Sequence, residues 1–311
     1  MYDHIAEKLR TGETIVIDGG TGTDLEKRGA EMVGAAWCAY ATRTSPDILR
    51  EVHDDYIAAG AEVIAANTYA TTLPMIEAAG DGEAVWEELT VQSMEIAHAA
   101  AGAADGPVAV AGSFSVMRPM TPGGDLPSAS YVFDEARERE IVGKQAALLK
   151  ELGADLLIME MLRGNDLSVW AVEAAQATGL PVWNGMSTVR DDAGTVVSFH
   201  DKKTPFAEFA PRLMAAGGEV AGVMHTIMND MDPSLEVLRE HWDGPLMAYP
   251  ESGHFTMPYW QFGDMTPGEF AAACRDWVQG GIQIVGGCCG VSVEHIAALK
   301  GALPSHAGGS R

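Results

Sequence analysis

Short apolar runs rich in Val, Ile and Leu recur along the chain, and longer Ala- and Glu-rich stretches with helical periodicity separate them. This alternation is typical of βα units, in which parallel strands are buried between helices. There are eight such runs, and eight strands close a (β/α)8 barrel. The predicted strands cover residues 14–17, 62–66, 108–111, 155–159, 181–186, 220–224, 245–248 and 283–285.

An open, doubly wound sheet would show the same alternation, so other features must decide between the two architectures. No Gly-x-Gly-x-x-Gly motif follows the first predicted strand, and the alternation continues for eight units. Glycines such as Gly60 and Gly153 stand where predicted helices end, as a left-handed helix terminus requires. We therefore predict one α/β domain, a (β/α)8 TIM barrel over residues 1–304, with a disordered tail at 305–311.

The composition of the chain disfavours several kinds of binding partner. The 311 residues could form two domains, but α/β barrels often reach this length as one. A net charge of −24 disfavours nucleic-acid and anionic membrane partners, because a surface of that sign repels phosphates. No apolar run is long enough for a membrane span, and the first residues do not resemble a signal peptide. With only four cysteines, we expect a cytoplasmic protein without a disulfide framework.

Polar residues follow most of the predicted strands, at the barrel face where enzymes of this fold carry their active sites. A Pro- and Gly-rich stretch at 118–131 follows the third strand, and we interpret it as a long loop or lid at the same face. The candidate substrate-binding residues at these ends and in the following loops are Asp18, Gly19, Gly20, Thr23, Asn67, Tyr69, Ser113, Tyr249, Glu251 and Trp260.

The run Gly-Gly-Cys-Cys-Gly at 286–290 is the most specific chemical feature of the chain. Flanking glycines let the backbone turn so that Cys288 and Cys289 can face one ion, and thiolates are preferred zinc ligands. Two other interpretations are a pair of buried thiols that pack as small apolar groups, and a strained vicinal disulfide. The position at a strand's carboxyl end favours a metal site.

A catalytic zinc site commonly takes three protein ligands, so a third is needed. His225 directly follows the sixth predicted strand, whereas Cys38 and Cys274 do not stand at strand ends. We predict that His225, Cys288 and Cys289 bind Zn²⁺. The alternative is that His225 binds no metal and only forms a hydrogen bond at the open end of the barrel.

Several ordered motifs resemble the homocysteine S-methyltransferase family over nearly the whole chain. They are Asp-Gly-Gly-Thr-Gly-Thr-Asp-Leu at 18–25, Val-His-Asp-Asp-Tyr at 52–56, Asn-Thr-Tyr at 67–69, Tyr-Pro at 249–250 and the Gly-Gly-Cys-Cys-Gly run. The resemblance implies a (β/α)8 barrel in which three cysteines hold zinc and homocysteine binds through its sulfur. It also implies that Asp24 and Glu160 act in catalysis by binding the ammonium group of the acceptor.

The chain departs from the family at the metal and at three other strand ends, one of which is the third, where Phe114, Ser115 and Val116 stand in place of Ile-Gly-Pro. His225 stands where the family has a cysteine, which removes one negative charge from the metal ligands. Glu251 replaces an asparagine after the seventh strand, and Met161 replaces a threonine after Glu160. We therefore expect the family's chemistry with altered substrate contacts.

The function predicted from this resemblance is zinc-dependent methyl transfer from an onium donor, of sulfonium or betaine type, to the thiol of homocysteine or a related thiol. The corresponding process is methionine biosynthesis. We expect small-molecule partners, and the sequence is compatible with a homo-oligomer. The alternatives are a methyltransferase or demethylase acting on another thiol or a selenol, and a zinc hydrolase with Glu160 or Glu251 as the base. A barrel that binds a metabolite without catalysis is a third.

Overall fold

The computed structural model describes residues 2–119, 128, 131–256, 259–263 and 265–308. Eight parallel strands form its central sheet, in the order β1-β12-β9-β8-β5-β4-β3-β2. These strands are β1 (Ile15–Val16), β2 (Val63–Ala65), β3 (Ala109–Ser115), β4 (Leu156–Leu162), β5 (Val182–Met186), β8 (Val220–Ile227), β9 (Leu246–Glu251) and β12 (Ile284–Val285). Two antiparallel hairpins lie outside the sheet, β6 (Thr188–Arg190) with β7 (Val196–Ser198), and β10 (Gly253–Thr256) with β11 (Tyr259–Phe262).

The two outer strands of this sheet meet and close it into a barrel. Ile17, just after β1, forms a parallel bridge with Val63 of β2. The amide of Glu62 donates to the carbonyl of Val16 at 2.8 Å, and the amide of Asp18 donates to the carbonyl of Val63 at 3.1 Å. The predicted single-domain (β/α)8 barrel is thus confirmed, and each of the eight predicted strands coincides with an observed one.

Helices surround the barrel, as the Ala- and Glu-rich stretches predict. They are α1 (Asp3–Thr11), α2 (Thr21–Lys27), α3 (Ala41–Thr44), α4 (Pro46–Ala59), α5 (Leu73–Ala78), α6 (Glu83–Ala103), α7 (Glu135–Glu151), α8 (Asp166–Ala177), α9 (Phe206–Ala216), α10 (Met228–Arg239), α11 (Pro267–Gln279) and α12 (Val293–Leu299). No helix in the described ranges is long and apolar enough to cross a membrane. Helix α4 shows the local signals well, because proline opens it and Gly60, with φ of 113°, ends it.

Helix α1 covers the amino-terminal end of the barrel. Its Ile5 is fully buried and packs with inward-facing residues such as Ile15 and Trp183. The hydroxyl of Tyr2 accepts a hydrogen bond of 3.0 Å from Nε1 of Trp183. Since this end is filled, the open end is the one where the strands finish, as expected for the fold.

Two of the predicted segments include residues that the structure does not describe. The structure places residues 305–308 of the predicted tail against the barrel, where Ala307 donates to the carbonyl of Gly12 at 2.9 Å and His306 forms a bridge with Glu13. Residues 309–311 lie outside the described residues. The predicted lid at 118–131 also falls mostly outside them, since only residues 118–119, 128 and 131 of it are described.

Candidate functional site

His225, Cys288 and Cys289 converge at the open end of the barrel. One ligand atom from each lies within 4.8 Å of the others, and within the described ranges this is the one cluster of its kind. Nδ1 of His225 lies 3.5 Å from Sγ of Cys288, and the two sulfurs lie 3.9 Å apart. Tetrahedral zinc, with bonds of about 2.3 Å to sulfur and about 2.0 Å to nitrogen, would separate sulfur from nitrogen by about 3.5 Å and sulfur from sulfur by about 3.8 Å. The donor atoms therefore fit such an ion.

Backbone irregularities turn these side chains toward one point. The pairing of β8 with β9 shifts register between Met224 and Ile227, and His225 in this bulge has a φ of 47°. A bulge re-aims a side chain that a regular strand would point elsewhere. Cys288 and Cys289 follow β12 in a loop that Gly290 completes with φ of 78°, where a β-carbon would come within 1.8 Å of the carbonyl oxygen of Ser252. Glycine is therefore required there.

Glu251 contributes a carboxylate beside the cluster. Its Oε2 lies 2.9 Å from Nδ1 of His225, and both side chains are buried. Burial alone would lower the pKa of His225, but the charge of Glu251 and the hydrogen bonds to Cys288 and Glu251 outweigh burial and raise that pKa well above its ordinary value. Without a metal, His225 is therefore protonated between the carboxylate of Glu251 and the thiol of Cys288. A set of metal ligands binds a proton in this way when no metal is present.

A cavity opens next to the two cysteines. Several predicted substrate-binding residues line it together with Glu160, namely Gly19, Gly20, Asn67, Tyr69, Ser113 and Tyr249. The hydroxyl of Ser113 donates to Oε1 of Glu160 at 2.5 Å. Burial raises the pKa of Glu160 to about 7, although the Ser113 hydrogen bond and His225 act in the opposite direction. The cavity thus presents a carboxylate that ionises near neutral pH.

Asp18 supports the wall of this cavity from behind. Its carboxylate accepts hydrogen bonds from the amide of Ala65 at 2.7 Å and from the hydroxyl of Tyr249 at 3.2 Å. Burial raises the pKa of Asp18 to about 8 despite these bonds. Asp18 therefore fixes Tyr249, which lines the cavity, to the loop after β1.

Some predicted site residues lie outside the cavity wall. The carboxylate of Asp24 binds the hydroxyl of Tyr56 and accepts from the amide of Val293 at 3.3 Å. The hydroxyl of Thr23 accepts from the amide of Gly290 at 3.0 Å and so ties the cysteine loop to α2. Trp260 is buried, and its ring centre lies 6.1 Å from that of His225. Asp24 and Thr23 thus have structural contacts, whereas Trp260 borders the metal cluster.

The structure also brings to the site two residues that were not predicted there from the sequence. Cys38 lines the cavity, and its thiol donates to Oδ1 of Asn67 at 3.3 Å, so it faces the substrate space without joining the metal cluster. The ring of Phe199 packs edge-on to His225, with centroids 5.2 Å apart. Phe199 follows the β6–β7 hairpin, and no local pattern in the sequence marks it.

The chain is similar to known proteins over nearly its whole length. The sequence model of the family described as "Homocysteine S-methyltransferase" matches residues 15–303. The chain is 27% identical to the S-methylmethionine–homocysteine S-methyltransferase of Pongo abelii, over 98% of this chain and 82% of that protein. It is 26% identical to homocysteine S-methyltransferase 3 of Zea mays, over 94% and 90% respectively.

A solved structure shows the same fold. The homocysteine methyltransferase MmuM from Escherichia coli, in its metallated form, aligns with a TM-score of 0.74 at 24% identity. The alignment covers 96% of this chain and 99% of that one, so the likeness extends over the whole barrel.

Proposed function

Because the chain belongs to the homocysteine S-methyltransferase family, we propose that it transfers a methyl group from an onium donor to the thiol of homocysteine. The observation that carries the proposal is the cluster of His225, Cys288 and Cys289 at tetrahedral distances beside a cavity that holds Glu160. A thiol needs activation to attack a methyl group at neutral pH, and the cluster stands where an acceptor in the cavity can reach it.

We propose zinc as the metal that these three residues hold. Two thiolates and an imidazole form a donor set that suits zinc, and three protein ligands leave a fourth position free. When bound, zinc lowers the pKa of a coordinated thiol, so that a thiolate exists at neutral pH. The protein's own residues then orient the two substrates, which is the main contribution such a displacement requires.

Glu160 is our candidate for binding the acceptor's ammonium group. It lines the cavity and is fixed by Ser113, and an ionised carboxylate at that position attracts a cation. The predicted partner in this role, Asp24, does not line the cavity, and we propose that it acts by holding the α2–α12 contact. Methionine is the product when homocysteine is the acceptor.

A thiol-consumption assay tests the proposal. Homocysteine and the zinc-loaded protein are mixed with a sulfonium or betaine donor, and free thiol and methylated product are measured together. We expect free thiol to fall in step with product formation. Hydrolysis of the donor without thiol loss would indicate the zinc hydrolase instead, and binding without turnover would indicate a non-catalytic barrel.

A further inference from the structure

The hairpin of β10 and β11 lies beside the metal cluster and carries one buried residue toward it. Trp260 is 5% exposed, whereas Tyr259 and Phe262 of the same strand are 55% and 46% exposed. The ring centre of Trp260 lies 6.1 Å from that of His225. A two-stranded hairpin is marginally stable by itself, so the position of this one depends on its contacts with the barrel.

Two glycines leave room for the Trp260 indole between the hairpin and the loop that carries the cysteines. A β-carbon at Gly253 or at Gly290 would lie 2.7 Å from its Nε1 atom. The same Nε1 donates to the carbonyl of Ser252 at 2.9 Å, and the amide of Ser252 donates to the carbonyl of Cys289 at 2.9 Å. Trp260 is therefore connected to the backbone of a proposed metal ligand through a single residue.

Glu26 of α2 binds the backbone of Trp260. Both carboxylate oxygens of Glu26 accept from the Trp260 amide, at 2.9 and 3.1 Å. A charged acceptor forms a stronger hydrogen bond than a neutral one. Helix α2 also holds the cysteine loop directly, since the hydroxyl of Thr23 accepts from the amide of Gly290 at 3.0 Å. The helix thus fixes this loop at two points, through Thr23 and through Glu26 with Trp260.

We infer that Glu26 is a positioning residue for the two adjacent cysteines. By holding Trp260 it keeps Ser252, and with it the loop at 286–290, in the arrangement that binds the metal. The inference rests on the proposed metal site and adds a residue, on a different element of the fold, that controls the geometry of that site. Groups that support a metal's ligands from outside in this way commonly affect how tightly the metal is held.

Metal affinity tests this role. We expect Glu26→Gln to bind Zn²⁺ about 5- to 10-fold more weakly in competition with a chelator, as when a neutral acceptor replaces a charged one. The visible absorption of the Co²⁺-loaded protein should also change, because it reports the arrangement of the ligands. Glu31→Gln, at an exposed position after the same helix, is the matched control and should behave as the wild type does.

A double variant shows whether Glu26 acts through Trp260. Trp260→Phe keeps an aromatic ring but removes the N–H group that binds Ser252, so it should weaken metal binding by itself. Adding Glu26→Gln to Trp260→Phe should then have much less effect than Glu26→Gln has in the wild type. Additive losses of affinity would overturn the inference. A lower Tm in Glu26→Gln with unchanged metal affinity would likewise leave Glu26 with a role in stability only.

Alkylation of the metal-free protein separates this inference from the metal proposal. The rate at which iodoacetamide modifies half-buried Cys289, located by mass spectrometry, reports how firmly the loop is held. We expect faster modification in Glu26→Gln than in the wild type and in Glu31→Gln. If the wild type binds no zinc, the metal proposal fails, and faster alkylation in Glu26→Gln still supports the positioning role. Equal alkylation rates together with equal metal affinities would overturn that role.

Discussion

Nδ1 of His225 lies 2.9 Å from Oε2 of Glu251, so two departures from the family's motifs are neighbours in space. In the family these positions are cysteine and asparagine, an anionic ligand beside a neutral amide. Here a neutral imidazole ligand stands beside an anionic carboxylate. The total charge around the metal is therefore the same in both arrangements, although the sequence alone suggests that one negative charge is lost.

Glu251→Gln should weaken metal binding. Oε2 of Glu251 lies beside Nδ1 of His225, the ring nitrogen that also faces Cys288, so the amide keeps the size of the side chain but removes a negative charge next to the metal. Groups that neighbour a metal's ligands typically change metal affinity about 10- to 100-fold when they are altered, and we expect a loss in that range. Competition with a chelator of known affinity measures it. Glu236→Gln, at an exposed position on α10, is the matched control, and equal affinities in the two variants would refute a role for Glu251.

The two adjacent cysteines should both be needed for metal. We expect about one zinc per chain in the purified protein, and a large loss in Cys288→Ala and in Cys289→Ala. Cys274→Ala provides the control, since Cys274 is buried in α11 away from the cluster. Elemental analysis together with circular dichroism separates loss of metal from loss of fold. Full zinc content in both site variants would end the metal-site proposal.

Glu160→Gln should impair acceptor binding. The pKa of Glu160 is raised to about 7, so its carboxylate is ionised above that pH and can then attract an ammonium group. In the wild type we expect homocysteine binding to weaken as pH falls below about 7. The glutamine variant should bind about 10- to 100-fold more weakly above pH 7 and lose this dependence. A variant with unchanged binding but a lower kcat would instead assign Glu160 as a base.

The buried acid Asp18 should make stability depend on pH. Its pKa is about 8 in the folded protein against an ordinary value of 3.8, so the folded state retains a proton that the unfolded chain has already lost between these values. Stability therefore falls as pH rises from about 4 to 8. Asparagine cannot ionise, so Asp18→Asn should show a smaller drop in Tm between pH 5.5 and 8, by a few °C.

The metal-free protein is the appropriate sample for this measurement, because metal binding brings its own pH dependence. Differential scanning calorimetry at the two pH values gives the drop in Tm for each variant. Asp105→Asn, at an exposed loop position, controls for the change in net charge. A drop in Asp18→Asn as large as that in the wild type would contradict the proposed effect of Asp18.

The barrel could be predicted from the sequence because each βα unit carries its own local pattern of apolar runs and helix ends. The predicted strand ends were less accurate, since β3, β4 and β8 continue past the first polar residues to Ser115, Leu162 and Ile227. Parallel pairing needs only backbone groups, and the barrel mouth buries polar side chains as well as apolar ones. Polarity alone therefore does not mark where such strands end.

The residues of the site likewise differ in whether the neighbouring sequence identifies them. Cys288 and Cys289 are adjacent and flanked by glycine, so the sequence identifies them without a structure. Phe199 and His225 are 26 positions apart in the sequence with helix α9 between them, yet their ring centroids lie 5.2 Å apart. The contact between His225 and Glu251 likewise depends on a bulge in β8 that the sequence does not reveal. Only the folded barrel brings these groups together.

Reverting both residues to the family's types tests whether the negative charge at position 251 replaces the one that is absent at position 225. His225→Cys alone adds an anionic ligand beside Glu251, and the two negative charges should repel each other and an incoming thiolate. Glu251→Asn alone leaves the histidine ligand without its carboxylate. The double variant restores the family's arrangement, so we expect it to bind zinc and homocysteine better than either single variant.

Zinc affinity and homocysteine binding measured across the four proteins give the coupling between the two positions. Additive effects would show that the two residues act independently, and unchanged zinc in His225→Ala would show that His225 is not a ligand.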